Sequence, residues 1–166
     1  MHKRVGLAAW LFGCLFLVGC SSLPRSVQLS DNQTNTSYQQ AKQSNHQGQW
    51  ALWQGSITKV HNSDKGTQIQ VVMQQLDYEG KVVGDNSPGR FVANFKQFLD
   101  PMIYAPGRTI SIKGQISAPT TITIDKLKQQ VPSLDAKAFY LWPKINPDPD
   151  PLPRHFYAFD CGPWPR

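Results

Sequence analysis

The stretch WALWQGSITKVHNSDKGTQIQVVMQQ, residues 50–75, decides the fold. Trp50 to Asn62 reads as a strand, with Gly55 and the change of parity between Ile57 and Val60 pointing to a bulge. Asn62-Ser63-Asp64-Lys65-Gly66 is a turn, with glycine available for a positive φ. Thr67 to Gln75 then alternates, with Ile69, Val71 and Met73 on one face and Gln68, Gln70 and Gln74 on the other. A period of two with one apolar face is a half-buried strand. The stretch therefore predicts an antiparallel hairpin.

Working outward, Val82 and Val83 fit a short strand between two glycine-rich turns, and Arg90 to Phe98 a third main strand with Phe91, Ala93 and Phe95 on one side. Arg108 to Ser117 alternates Ile110 and Ile112 against Ser111 and Lys113, giving a fourth. Thr121 to Ile124 and Ala138 to Trp142 supply the remaining strands. Between Phe98 and Gly107 there is room for one helical turn, with Asp100 as cap and Pro101 at its first position. Five or six short strands in residues 48–143 predict a mainly β body, a small closed or partly closed antiparallel β-barrel. The element order is OB-like, with a plain sandwich as the alternative.

Upstream, residues 20–47 are expected to be a disordered tether. Ser, Thr, Asn and Gln supply 17 of the 27 residues from Ser21 to Gln47, too polar to offset the entropy of ordering. A coil of that length spans roughly 30 Å. Residues 1–19 read as a signal peptide: His2, Lys3 and Arg4 are followed by an uncharged apolar run from Val5 to Val18. A helix of that run rises roughly 21 Å, short of a bilayer core of about 30 Å. Leu17-Val18-Gly19-Cys20 then has lipobox form, with small Gly19 at the cleavage point and the Cys20 thiol as the group that receives lipid. Ser21, where an Asp would favour inner-membrane retention, fits delivery to the outer membrane.

Residues 144–166 form a Pro-rich aromatic tail, with Pro147, Pro149, Pro151 and Pro153 at alternate positions, which excludes helix and central strand. His155, Phe156, Tyr157, Phe159 and Trp164 follow; they either pack on the barrel or offer a surface to a partner. The charge of +6 falls to +4 once Lys3 and Arg4 leave with the leader, compatible with a solvated surface or with contact to phosphate-bearing lipids.

Several runs in the body resemble the Slp family of starvation-inducible outer-membrane lipoproteins. They are Gly89-Arg90-Phe91, Phe98-Leu99-Asp100-Pro101 with Tyr104, Gly107-Arg108, Ile110 through Gly114, and Leu141-Trp142. Trp53, Gly55, Ile57, Val60 and Asn62 are similar to the family's earlier strand. Ala118-Pro119-Thr120-Thr121 departs from the glycine-rich stretch usual after the fourth strand. The resemblance implies an outer-membrane lipoprotein linked to stress or starvation in the cell, and brings no catalytic residues.

Little else points to chemistry. His46, His61 and His155 are far apart, and only His155, Asp160 and Cys161 cluster, too few for a mononuclear metal site. Asp160 beside Cys161 would raise the thiol pKa. No nucleophile elbow, phosphate loop or HExxH is present. The sequence thus predicts a non-enzymatic, lipid-anchored protein at the periplasmic face of the outer membrane. Its only expected bound group is the covalent lipid on Cys20. Its expected partners are the membrane, the lipoprotein processing and sorting machinery and an envelope protein, but not nucleic acid. The rival reading is a periplasmic module binding a glycan or an anionic small molecule around Trp50, Trp53 and Arg108. The candidate ligand or partner surface comprises Trp50, Trp53, Asp100, Tyr104, Arg108, Tyr157 and Trp164.

Overall fold

A computed structural model describes residues 23–43 and 46–144. Five strands, β1 (Trp50–Ser63), β2 (Gly66–Met73), β3 (Arg90–Phe95), β4 (Thr109–Ile124) and β5 (Leu127–Leu141), follow one helix, α1 (Tyr38–Gln43). They close into a barrel in the order β1-β2-β3-β5-β4, the OB-like arrangement. β1 and β2 form the expected hairpin, and the register shifts between Ile57 and Lys59, where parity had pointed to a bulge.

One pair departs from the antiparallel expectation. β3 and β5 run parallel, Val92 opposite Ser133 and Asn94 opposite Asp135. Directions around a closed ring can alternate throughout only if the strand number is even. Five strands force at least one parallel pair.

Inside, the inward positions of every strand meet. Trp53, Ile57, Ile69, Val71, Phe91, Ile110, Ile112 and Leu134 are all essentially solvent-free. Trp53 lies edge-on to Phe91 at 5.3 Å, and Phe95 edge-on to Phe139 at 5.1 Å, an arrangement the ring quadrupoles favour. The barrel is filled by its own side chains. Gly55 lets β1 and β2 approach, since a Cβ there would sit 1.9 Å from the Val72 carbonyl oxygen.

β4 and β5 are longer than the sequence predicted. Thr121 to Ile124 is not a separate strand but the end of β4, and β5 begins at Leu127 rather than near Ala138. Asp125 and Lys126 make a two-residue turn between Ile124 and Leu127, Asp125 taking a positive φ of 54°. The ladder skips between Ser117 and Thr120, beside Pro119 and opposite Pro132, neither of which carries a donor. The ribbon beyond folds outside the barrel, where Ile122 and Val131 bury Val92 of β3 in a small second core. Conversely, β3 ends at Phe95, short of Phe98, and Val82 makes only an isolated bridge to Leu76.

The tether expectation for residues 20–47 is corrected over the described part. Residues 23–43 form a strap across the barrel. β1 pairs with β4 from Trp50 onward but with β2 only from Gly55, which leaves the edge of Trp50 and Leu52 turned away from β4 without a strand neighbour. The strap fills that edge: Thr36 N donates to Trp50 O at 2.9 Å, Leu52 N donates to Asn35 Oδ1 at 2.9 Å, and Trp53 Nε1 donates to Thr36 O at 3.0 Å. Tyr38, 4% exposed, lies edge-on to Trp53 at 5.7 Å and donates its hydroxyl to Arg90 O. A few well-placed anchors, buried Val27 and Tyr38 among them, order a segment whose composition is largely polar.

Candidate functional site

The connection between β3 and β4, residues 96–108, is held to the barrel at several points. Leu99 is buried beneath it, and its backbone is held on both sides: Leu99 N donates to Thr67 Oγ1, and Asn62 Nδ2 donates to Leu99 O. Asp100 accepts from Met102 N at 2.8 Å through Oδ1, and its carbonyl accepts from Ile103 N and Tyr104 N. This is the capped turn that Asp100-Pro101 implied, though too short to become a helix. Tyr104 packs edge-on against Phe139 at 6.0 Å, and Gly107 takes a φ of +86°.

Arg108 closes the turn from below. Its guanidinium donates to Ile103 O at 3.1 Å through Nη1 and to Trp142 O at 2.6 Å through Nη2. It thereby ties the loop to the end of β5, a task suited to a planar fork of donors. Its Nε is buried without a protein acceptor. Around it lies a shallow depression of about 590 Å³, lined in part by Ser56, Gly80, Lys81, Arg108, Thr109 and Lys144. Lys81 there pairs with Glu79 at 2.6 Å, which pulls the Glu79 carboxyl below and pushes the Lys81 ammonium above their ordinary values. The far side is covered by Trp142, whose Nε1 donates to Ser111 Oγ at 3.0 Å and whose ring lies against Gly80.

Held by these bonds, the turn presents Phe98, Met102 and Ile103 to solvent, 69%, 83% and 53% exposed. Three large exposed apolar side chains fall within six residues, on a turn held from folding them inward, an exposure that suits an interaction surface.

The predicted surface residues do not converge. Trp53 is only 1% exposed and belongs to the core, so it does not join Trp50 and Arg108 in the surface expected for a glycan or anion. Its indole was misplaced because alternation alone does not say which side of β1 faces inward. Trp50 lies half-buried with Lys113 Nζ 6.0 Å from its ring centre. Asp100, Tyr104 and Arg108 do share one loop, but each is engaged in holding it. Gly19, Cys20, Tyr157 and Trp164 lie outside the described residues, as do the tail and His155, Asp160 and Cys161. Among the described residues, no three His, Cys, Asp or Glu side chains come together as a metal site.

A family model, the Outer membrane lipoprotein Slp family, matches residues 17–166. The chain belongs to that family. The match begins at Leu17 and runs to Arg166. No curated protein matches this Slp-family chain. Among solved structures, a small single-stranded DNA-binding protein from Streptomyces coelicolor is similar at 11% identity, with a TM-score of 0.38, covering 55% of this chain and 92% of that one.

Phe98, Met102 and Ile103 were missed as surface residues in the sequence. Phe98 reads there as the end of a strand. The signal was the run FLDPMIY: apolar residues crowded into a segment whose Asp-Pro forbids both strand and long helix.

Proposed function

We propose that this outer membrane lipoprotein is anchored by lipid on Cys20 at the periplasmic face, and that its body is a non-enzymatic interaction domain. The anchoring chemistry is that of a lipobox cysteine. The Cys20 sulfur forms a thioether to the glyceryl carbon of a phospholipid, whose phosphate headgroup leaves with the thiol proton. Hydrolysis of the Gly19–Cys20 bond then releases the leader. Each buried methylene contributes about 0.8 kcal/mol, so two or three acyl chains hold the protein permanently. The processing and sorting machinery for lipoproteins is its expected first set of partners, and stress or starvation its expected setting.

The observation that carries the interaction role is the rigid turn with exposed Phe98, Met102 and Ile103. The barrel interior is occupied by its own core, so recognition falls to the surface. The reading favours an envelope protein with an apolar contact face.

A photo-crosslinking residue at Met102 tests this in intact cells, with one at Lys128, exposed on the β4–β5 ribbon, as control. A discrete adduct from position 102 that Phe98→Ser abolishes is the expected result. Equal or absent crosslinking at both positions would contradict it.

A further inference from the structure

The strap changes how the body can sit on its anchor. With only Ser21 and Ser22 between Cys20 and the first described residue, Leu23, the connecting chain reaches at most about 10 Å. Leu23 is joined to the barrel in two steps. Gln28 Nε2 donates to Leu23 O at 2.6 Å, and Lys113 Nζ donates to Gln28 O at 3.0 Å. Val27 between them is fully buried. A lipid on Cys20 therefore brings a particular face to the headgroups, not a freely swinging domain.

We infer that the face formed by Leu23–Gln28, Trp50 and Lys113 docks on the lipid surface, and that the β1–β2 turn points away from it. This rests on lipidation of Cys20. Three further observations fit. Arg25 is exposed on that face and Lys113 is half-exposed beside it, giving cations for phosphate headgroups; the strap carries Arg25 and Lys42 against one acid, Asp31. Trp50 lies beside Lys113, and a half-exposed indole next to a lysine suits the boundary between water and hydrocarbon. Finally, β1 has 14 residues, and a strand rises about 3.3 Å per residue, so its two ends lie on the order of 40 Å apart along the strand. The turn of Phe98 to Ile103 is bonded to Asn62 and Thr67 at the far end. Docking one end on the bilayer leaves that apolar turn facing the periplasm.

The test uses the full-length lipidated protein with Cys161→Ser, in vesicles of phosphatidylethanolamine and phosphatidylglycerol carrying a headgroup quencher. One fluorophore sits on Arg25→Cys, another on Asp64→Cys in the β1–β2 turn; both positions are exposed. Flotation with the vesicles reports anchoring, and quenching reports orientation. Severalfold stronger quenching at position 25 than at 64 is expected. That difference should vanish when a Gly/Ser segment of about twenty residues, spanning roughly 25 Å, is inserted between Ser22 and Leu23. A floating protein quenched equally at both positions overturns the orientation and leaves the anchor intact. A protein that does not float overturns both.

Discussion

At Arg108 a single side chain does the structural job that a disulfide or metal does elsewhere, by bridging Ile103 O and Trp142 O. Lysine keeps the charge but not the fork, so Arg108→Lys should lower stability by about 1–3 kcal/mol, read by thermal denaturation. Gly80 has a φ of +83°, and a Cβ there would lie 2.3 Å from the Trp142 indole. Gly80→Ala should therefore cost about 2 kcal/mol or more. Tyr38 offers a pH signature. Burial raises its phenol above the ordinary value, so the folded state favours the neutral hydroxyl. The stability linked to it is complete below the unfolded pKa near 10 and is lost as pH rises through the higher folded value. Tyr38→Phe should lose about 1 kcal/mol at neutral pH, for the bond to Arg90 O, and should show a smaller decline above pH 10 in alkaline titration of the fold. At this scale the sequence spoke unevenly. The cap at Asp100 was legible because Asp-Pro acts locally. The burial of Trp53 was not, since it depends on which other elements cover that face.

Among elements, the strands of strongest alternation were the most legible. Residues 67–75 and 108–117 carry a period of two, and both form strands in the barrel. The β4–β5 ribbon escaped notice because Pro119 and Pro132 look like strand breakers. They are accommodated where the register shifts between Ser117 and Thr120, and the turn at Asp125-Lys126 lacks the glycine that usually marks one. The strap was invisible for a different reason. Its contribution lies in hydrogen bonds to an unpaired strand edge, and composition does not report those. An uncovered edge is a template for pairing with another chain. Deleting residues 23–46, which joins Ser22 to Gln47, should leave the barrel folded but its β1 edge open. Protection of the Leu52 amide should fall by about tenfold or more in hydrogen exchange, and sedimentation should show self-association.

Over the described residues, the molecule is a filled barrel with a hydrogen-bonded turn that exposes Phe98, Met102 and Ile103. The mainly β class and the OB-like order followed from alternating strands around one capped connection. The parallel β3–β5 pair followed only from closure, a property of five strands together and of none separately. Substituting both Phe98 and Ile103 by serine should change stability by no more than about 0.5 kcal/mol, since both side chains are exposed, while removing the crosslink from position 102. The lipid proposed on Cys20 ties these scales together, because the proposed docking face and outward turn both depend on it. Metabolic labelling with palmitate, comparing the wild type with Cys20→Ser, tests it most directly. The account predicts label on the wild-type protein and none on the variant; equal labelling of the two, or none on either, would contradict it.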